Sequence, residues 1–294
     1  MIPRFIEITT KVGCILDCRY CPQKLFYSRY FAQNRKDIPP VFMTFDNFKR
    51  CIDKVPKDID VHFSGFCEAW LNPECTRMLN YAYNRGHNIH IYTTLIGMSK
   101  EDYYQMRNMN IKTFVLHIPD ENNNSKFNIT DEYIGLLNEV IEDSMRGDFR
   151  IDHYSCHGQI HPAIKKLIEK SGKLVDSRMC NRAGNIKEEC EVSATKKEGE
   201  IICRWCAGTA LDKNVLLPDG TVLMCSMDFG MQFVLGNLLT EDYEEIAEGK
   251  RKILLRKKLQ SEEYGDILCR NCHRSMERTK WEAHVKEKLE RDKL

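Results

Sequence analysis

Three cysteines lie close together near the amino end of the chain, in the stretch KVGCILDCRYCPQ (residues 11–23). Cys14, Cys18 and Cys21 are separated by three and then by two residues. Thiolates are the usual ligands of iron–sulfur clusters, and three of them can hold three irons of a four-iron, four-sulfur (4Fe–4S) cluster. The fourth iron would then be free to bind a substrate or a cofactor. The alternative is a zinc site, which needs four ligands and would be completed by a distant cysteine or histidine.

Cysteines gather again in the last third of the chain, at Cys203, Cys206, Cys225, Cys269 and Cys272. The start of the chain, MIPRFIEITT, lacks the apolar core of a signal peptide. We therefore expect a cytoplasmic protein, whose reducing environment disfavours disulfides. In that compartment, clustered cysteines indicate metal binding or catalysis.

Six short strand-like runs alternate with helix-like segments over residues 4–180. The strand-like runs are RFIEITT (4–10), IDVHFSG (59–65), NIHIYTT (88–94), IKTFVLHI (111–118), FRIDHYS (149–155) and KLVDS (173–177). This alternation predicts an α/β fold built from parallel βαβ units. Six units are fewer than the eight of a closed barrel, so we predict an open, partial (β/α)6 barrel of the TIM type. The first cysteine cluster follows the first strand and should lie at the carboxyl-terminal ends of the strands, where active sites of such folds are found.

The pattern changes after residue 180. NVLLPDGTVLMC (214–225) predicts a β-hairpin that turns at Asp219-Gly220. A helical segment from about 241 to 259, the pair Cys269 and Cys272, and a charged terminal helix follow. We therefore predict a barrel over residues 4–180, a small α+β domain with the hairpin and helix over 181–280, and a helical tail over 281–294.

The overall charge and hydropathy give no support for a nucleic-acid or a membrane partner. The formal net charge is +1, which gives no reason to expect a nucleic acid. The basic stretch KRKILLRKK (250–258) is better interpreted as a solvated helix face than as a nucleic-acid or membrane patch. No apolar run approaches the roughly 20 residues that span a bilayer. We expect neither a nucleic-acid nor a membrane partner.

With these elements in place, the sequence resembles the radical S-adenosylmethionine (SAM) superfamily. In that family, CxxxCxxC on the loop after the first barrel strand binds a 4Fe–4S cluster whose open iron is chelated by SAM. The resemblance implies that Cys14, Cys18 and Cys21 are the cluster ligands, with Tyr20 as the usual aromatic residue before the third cysteine.

A second family feature is a Gly-Gly-Glu-Pro-like stretch at the end of the second strand, which meets the SAM amino group. Here FSGFCEAWLNP (63–73) occupies that place, so the resemblance implies SAM contacts from Ser64, Gly65 and Glu68. The stretch departs from the common form at Cys67 and Ala69.

Two resemblances that rest on fewer residues concern the third and fourth strands. TTLIG (93–97) is similar to the family's Thr-Asn-Gly region, which implies that Thr94 lies near SAM. His117 ends the fourth strand, where the family often places a polar residue on the SAM ribose. A hydrogen-bonded histidine at a strand end is the alternative interpretation of His117.

The carboxyl-terminal cysteines resemble those of the Twitch domain, the shortened form of the SPASM domain, which holds an auxiliary 4Fe–4S cluster. Cys206 is followed after thirteen residues by Gly220 and after four more by Cys225, and Cys269-x2-Cys272 completes the set. Cys203 competes with Cys206, but its sixteen-residue gap to Gly220 is longer than usual. A structural zinc ion is the alternative occupant of four thiolates.

The stretch NRAGN (181–185) is similar to one that joins barrel and auxiliary domain in related SPASM and Twitch proteins. The resemblance places Arg182 at the cavity between SAM and the auxiliary cluster. A guanidinium offers a fork of donors suited to hydroxyls or a carboxylate. We hypothesise that Arg182 binds substrate; an interdomain salt bridge is the alternative.

The resemblance implies a mechanism. The reduced first cluster cleaves SAM to methionine and a 5′-deoxyadenosyl radical, which removes a hydrogen atom from the substrate; the auxiliary cluster then takes an electron. The resemblance is to the aminocyclitol dehydrogenase type, so we expect oxidation of a sugar or cyclitol, with an external electron donor such as flavodoxin or ferredoxin.

Two other functions are considered. A peptide maturase that forms a crosslink, thioether or epimer is less favoured, since the first strand begins by residue 4 and leaves no room for a peptide-recognition domain before it. A non-enzymatic iron–sulfur or zinc protein would leave the Glu68 stretch unexplained.

Overall fold

A twisted, mainly parallel sheet forms the centre of the molecule in the computed structural model. The structure describes residues 4–32, 38–171, 174–176, 179–186, 195–206 and 208–291. In these residues the strand order of the sheet is β10-β9-β8-β1-β2-β3-β4-β5-β6. Its strands are β1 (Phe5–Ile8), β2 (Asp60–Phe63), β3 (Ile89–Thr93), β4 (Thr113–His117), β5 (His153–Cys156), β6 (Leu174–Asp176), β8 (Lys213–Leu216), β9 (Thr221–Leu223) and β10 (Val234–Asn237).

Helices follow the strands in the order that the sequence predicts. They are α1 (Gln23–Ala32), α2 (Phe45–Ile52), α3 (Cys75–Asn84), α4 (Lys100–Met106), α5 (Asp131–Arg146), α6 (Pro162–Ser171), α7 (Tyr243–Glu248), α8 (Lys250–Gln260) and α9 (Arg278–Arg291). The prediction of an α/β fold with a partial barrel is confirmed. No helix in the described ranges combines the length and apolar character needed to cross a membrane.

Helix starts are set by local hydrogen bonds that the sequence signals. Ser99 caps α4 in a capping box, in which its hydroxyl accepts from the Asp102 N–H and its own N–H donates to the Asp102 carboxylate. Thr44 and Thr130 cap α2 and α5 through their hydroxyl oxygens. These caps fix the residue at which each of the three helices begins.

Alternation along the parallel strands separates a helix-facing side from a cavity-facing side. On β1, Ile6 and Ile8 are buried in the main hydrophobic core, whereas Phe5 and Glu7 line a cavity. The same alternation on β2 and β3 brings His62, His90 and Tyr92 to the cavity. The interior side of the sheet is therefore polar and aromatic, which suits a binding site.

The predicted hairpin continues the barrel sheet. It turns at Asp219-Gly220 as predicted, and β8 pairs in parallel with β1, with Phe5 opposite Lys213. The sequence assigns the hairpin to the second domain, and parallel pairing with a barrel strand could not be read from its turn. Because of this pairing, side chains of β8 reach the same cavity as those of β1.

Two details of the carboxyl-terminal part differ from the sequence prediction. The helical segment expected over 241–259 is divided into α7 and α8, because the backbone at Gly249 is extended (φ −73°, ψ 175°). A small antiparallel sheet of β7 (Ile201–Cys203) and β11 (Ser275–Glu277) was not predicted. This sheet brings Cys203 beside the segment that follows Cys272.

Candidate active site

The loop that carries the first three cysteines (residues 13–22, the cysteine loop) is held by backbone hydrogen bonds to the segment after β4. The Arg19 N–H donates to the Asn124 carbonyl at 2.7 Å, and the Lys126 N–H donates to the Leu16 carbonyl at 2.8 Å. Within the loop, the Cys21 N–H donates to the Cys18 carbonyl. These bonds fix the loop over the carboxyl-terminal end of the sheet, as predicted.

The cysteine thiols accept hydrogen bonds from neighbouring donors. Cys14 accepts from the backbone N–H groups of Leu16 and Glu68, and Cys21 accepts from Gln23 Nε2 at 3.6 Å. Burial nevertheless raises the pKa of Cys14 to about 12 and that of Cys21 to about 11. Without a bound metal the thiols are therefore protonated, and the donors are in place to stabilise thiolates when a metal ion replaces the protons.

Tyr20 connects Cys18 to the loop after β4. Its hydroxyl forms a hydrogen bond with the Ser125 hydroxyl, and both hydroxyls lie within hydrogen-bonding reach of the Cys18 thiol. The Tyr20 ring packs on His157 with ring centroids 3.7 Å apart. Burial raises the pKa of Tyr20, so the phenol stays neutral and can donate toward sulfur.

Glu68 and Thr94, both predicted near SAM, are in direct contact. Glu68 Oε2 accepts from the N–H and the hydroxyl of Thr94, each at 2.6 Å. Glu68 Oε1 accepts from the Thr93 hydroxyl at 2.7 Å and from the Trp70 N–H at 3.4 Å. A carboxylate has about four acceptor positions. All are used here, so a ligand ammonium would have to replace one of the two hydroxyls.

Ser64 and Gly65 contact a residue that the sequence analysis missed, Glu7. Glu7 Oε2 accepts from the Ser64 hydroxyl at 3.0 Å and from the Gly65 N–H at 3.3 Å, and Ser226 also bonds to this carboxyl. Burial raises the pKa of Glu7, while these bonds and the nearby Arg182 oppose the shift. A charged residue in the apolar strand RFIEITT was the available signal for a cavity-facing position.

Gly65 is required by the backbone where the second strand turns toward the cysteine loop. Its φ is +74°, and a Cβ there would lie 2.6 Å from Thr9 Oγ1 and 2.8 Å from the Ile8 carbonyl oxygen. Only glycine fits both the left-handed conformation and the space. The close approach of β1 and the loop after β2 therefore depends on this residue.

His117 lies at the end of β4 and lines the cavity, as the resemblance implies. Burial lowers its pKa to about 4, and the neighbouring His157, Arg182 and His153 add to the shift. The imidazole is therefore neutral at physiological pH. A neutral ring can donate through one nitrogen and accept through the other, which suits contact with hydroxyl groups.

The NRAGN stretch (181–185) lies between the two groups of cysteines. Arg182 Nε donates to the Tyr20 carbonyl of the cysteine loop at 3.1 Å. Asn185 Nδ2 donates to the Met227 carbonyl, two residues beyond Cys225, at 2.8 Å. Arg182 and Ala183 have positive φ angles of 46° and 56°. The tight turn places the Arg182 side chain in the cavity.

The carboxyl-terminal cysteines are gathered by the β7–β11 sheet and the hairpin. Cys206, Cys269 and Cys272 are buried, and Cys225 follows the hairpin strand β9. The Arg274 N–H donates to Cys272 Sγ at 3.4 Å. Arg270, between the last two cysteines, is fully buried and donates to the carbonyl oxygens of Lys197, Gly199 and Lys258. These bonds hold the Cys269–Cys272 turn in place.

Cys203 and Cys206 both belong to this group. Their thiols are hydrogen-bonded to each other, and electrostatic interactions connect them to Cys225 and Cys269. Hydrogen bonds from Cys206 and from the Trp205 N–H lower the pKa of Cys203, so this thiol loses its proton before Cys206 does. The structure thus assembles five thiols where the sequence analysis selects four, with Cys206 preferred over Cys203.

One cavity of about 510 Å³ joins these features. Its walls contain Cys14, Cys18, Cys21, Tyr20, Ser64, Gly65, Glu68, Thr94, His117 and Arg182, all of them predicted. Residues that were not predicted as site residues also line it: Phe5, Glu7, His62, Cys67, His90, Tyr92, Trp205, Lys213, Ser226 and Phe229. Lys213 interacts electrostatically with Cys203 and Cys206, so the cavity reaches from the cysteine loop to the edge of the second cysteine group.

Comparisons with known proteins agree with this geometry. Residues 203–273 match the SPASM family, described as an iron–sulfur cluster-binding domain. The crystal structure of BtrN in complex with AdoMet and 2-DOIA has 16% identity and a TM-score of 0.57, covering 94% of this chain and 93% of BtrN. Streptococcus suis SuiB bound to precursor peptide SuiA has 13% identity and a TM-score of 0.59, covering 87% of this chain and 67% of SuiB.

The chain resembles radical SAM enzymes that carry a SPASM domain. The predicted resemblance is therefore confirmed, and the SPASM match supports the iron–sulfur cluster expected in the carboxyl-terminal part of the chain. No curated protein sequence matched the chain. The family match begins at Cys203 and ends at His273, which spans the whole second group of cysteines.

Proposed function

We propose that this protein is a radical SAM oxidoreductase that oxidises a secondary alcohol of a sugar or cyclitol to a ketone. The observation that carries the proposal is the single cavity between two cysteine groups. One end is lined by Cys14, Cys18 and Cys21, and the other is bordered by Arg182 and Lys213, close to the second group. This arrangement suits hydrogen-atom removal at one end and electron transfer toward the second group at the other.

The first group of cysteines fits a cluster with an open iron. Three thiols line the cavity, and each has N–H or O–H groups positioned to stabilise a thiolate. In the proposal these thiols hold the cluster, and Ser64, Gly65, Glu68, Thr94, Tyr20 and His117 surround SAM. The second group, Cys206, Cys225, Cys269 and Cys272, is proposed to hold the auxiliary cluster.

When bound, SAM and the two clusters supply a 5′-deoxyadenosyl radical that takes a hydrogen atom and a centre that takes one electron. The protein must accept the remaining proton of the alcohol. Glu7 is the proposed acceptor, because its carboxylate lines the cavity and burial raises its pKa, which favours proton uptake. The hydrogen atom, the electron and the proton are then all accounted for, and a ketone remains.

The lining of the cavity favours a small polar substrate. Its volume of about 510 Å³ lies within the range of small-molecule sites, roughly 300–1,000 Å³, and SAM would use part of it. Arg182 offers donors for hydroxyl groups, and Glu7 offers an acceptor. The likeness to BtrN with bound 2-DOIA supports the same class.

The second candidate is a peptide maturase that forms a crosslink, thioether or epimer. The likeness to SuiB bound to its precursor peptide favours this candidate, since its TM-score is 0.59. In that case the cavity would receive one side chain of a peptide. The early steps would be the same, and only the substrate and the fate of its radical would differ.

Anaerobic reconstitution tests whether the protein holds two iron–sulfur clusters and cleaves SAM. We expect about eight irons per chain, corresponding to two 4Fe–4S clusters. We also expect 5′-deoxyadenosine from SAM that depends on a reductant, either dithionite or a reduced flavodoxin or ferredoxin. A protein that holds zinc and cleaves no SAM would be a structural metal protein instead.

Deuterium transfer tests the substrate class. The reconstituted protein is incubated with SAM and a panel of aminocyclitols and hexoses that carry deuterium on the alcohol carbons. Deuterium in 5′-deoxyadenosine together with a ketone product supports the dehydrogenase. SAM cleavage without transfer from any of these compounds, but with transfer from a deuterated peptide, would favour the maturase.

A further inference from the structure

A third set of ligand-type side chains, besides the two groups of cysteines, lies deeper in the barrel on β2 and β3. Asp60, His62 and His90 each offer one potential ligand atom, and these three atoms all lie within 4.8 Å of one another. Strands rise about 3.3 Å per residue. His62 therefore lies about 7 Å along the strand from Ser64, away from the cysteine loop.

The strand register creates this cluster. His62 and His90 are direct partners in the parallel pairing of β2 with β3, and Asp60 precedes His62 by two residues on the same face. The His62 ring stacks between Phe5, at a centroid distance of 3.9 Å, and His90, at 4.3 Å. Alternation thus brings two imidazoles and a carboxylate together on the interior side of the sheet.

Asp60 and His90 form a buried pair within this cluster. His90 Nε2 lies 3.2 Å from Asp60 Oδ2, within the reach of an ion pair or a hydrogen bond. The side chains of Asp60 and His90 are only 8% and 14% exposed. A divalent metal ion bound by these two side chains and His62 would take the place of the proton between them.

The surroundings of Asp60 match the second shell of a metal site. Asp60 Oδ1 accepts from Asn88 Nδ2 at 2.9 Å, which orients the carboxylate and leaves Oδ2 toward His90. Hydrogen bonds of this kind orient the carboxylate ligands of known metal sites. His62 and His90 line the cavity, so further coordination positions would open toward a bound molecule.

We propose that Asp60, His62 and His90 form a mononuclear site for a divalent transition-metal ion, distinct from both groups of cysteines. Two imidazoles and one carboxylate suit zinc or iron(II), and three protein ligands leave a position for an exogenous oxygen or nitrogen donor. The ion would anchor a hydroxyl or amine of a molecule held in the cavity. The site does not depend on the proposed reaction.

Zinc binding to the protein with both iron–sulfur clusters loaded tests the site. The cysteines are then occupied, and the chain is dialysed against micromolar free Zn²⁺ before elemental analysis and zinc X-ray absorption spectroscopy. We expect one zinc per chain beside unchanged iron, with nitrogen and oxygen ligands at about 2.0–2.1 Å and no sulfur shell near 2.3 Å. Zinc with a sulfur shell, or no bound zinc, would overturn the proposal.

The variant His62→Phe keeps an aromatic ring in the stack and removes one ligand. We expect this variant to bind zinc about a hundredfold more weakly. The loss of a hydrogen-bonding partner of a metal ligand already costs about 10- to 100-fold in affinity, and the loss of a ligand should cost at least as much. Asp60→Asn, of nearly equal volume, is the second variant if His62→Phe fails to fold. His153→Phe, at the start of β5 and outside the cluster, should bind zinc normally. Normal zinc affinity in His62→Phe or Asp60→Asn, with iron content unchanged, would refute the assignment.

Discussion

Replacing Glu68 with glutamine separates two roles of this carboxylate, binding the SAM ammonium and holding the loop after β2. In the structure, Glu68 accepts from four donors: two on Thr94, the Thr93 hydroxyl and the Trp70 N–H. Glutamine keeps the shape, and its carbonyl oxygen can still take both bonds from Thr94. Its NH₂ group must then face the Thr93 hydroxyl and the Trp70 N–H.

The effect on stability should be small. The Trp70 N–H loses its acceptor, but that bond is already long at 3.4 Å, so the loss is about 1 kcal/mol. An opposing gain arises because burial raises the pKa of Glu68, so a neutral amide is less costly there than a carboxylate. We expect the free energy of unfolding of Glu68→Gln to stay within about 1 kcal/mol of that of the parent protein.

The effect on SAM binding should be large. An ammonium bound to a carboxylate gains about 1.5–3 kcal/mol, which corresponds to an affinity change of about 10- to 150-fold. The measurement is the SAM Kd by anaerobic equilibrium dialysis on protein with both clusters loaded, with urea unfolding in parallel. A Kd within twofold of the parent value, with full iron content, would refute a direct contact between Glu68 and SAM.

Two further variants sharpen this result. Thr94→Val removes one of the two hydroxyls that compete with an ammonium for Glu68, so it should lower stability while leaving SAM affinity equal or higher. Asp143→Asn changes a buried carboxylate on α5 that accepts from the Tyr103 hydroxyl, away from the cavity. It should lower stability with no change in the SAM Kd, which controls for general loosening of the barrel.

Three other predictions concern the substrate, the auxiliary cluster and the backbone. Arg182→Lys should raise the substrate KM or abolish turnover with both clusters loaded, because lysine lacks the Nε donor to the cysteine loop; unchanged kinetics would count against the role. Cys206→Ser should lose about half of the bound iron, whereas Cys203→Ser should retain it. Elemental analysis measures the iron, and the reverse result would show that Cys203 is the ligand of the auxiliary cluster instead of Cys206. Gly65→Ala should lower the free energy of unfolding by at least about 2 kcal/mol, because alanine is strained at φ +74° and its Cβ would clash with β1. Urea unfolding measures this loss, and a smaller one would show that the loop can move to accept the methyl group.

Much of the candidate site could be predicted because its residues are close in sequence. The spacing of Cys14, Cys18 and Cys21 is set by the covalent chain, and a loop after a parallel strand has only one end of the sheet on which to lie. The same holds for the stretch that contains Glu68, which follows the next strand in order. Their convergence in one cavity needed only the alternation of strands and helices.

Contacts between distant segments could not be predicted. The pairing of β8 with β1 depends on a hairpin that begins more than 200 residues after the first strand, and this register brings Lys213 opposite Phe5. The contacts of Glu7 with Ser64, Gly65 and Ser226 also join segments that lie far apart in the sequence. The choice between Cys203 and Cys206 is also a matter of packing, since both reach the same group.

By itself, the amino-acid sequence determined the kinds of ligand, their local spacing and the order of strands and helices, because these depend on neighbours along the chain. The tertiary structure decided how those pieces meet. It filled every acceptor position of Glu68, positioned Arg182 between the two cysteine groups and aligned Asp60, His62 and His90 on one face. Each of these depends on strand register and on packing between distant segments, which local patterns do not specify.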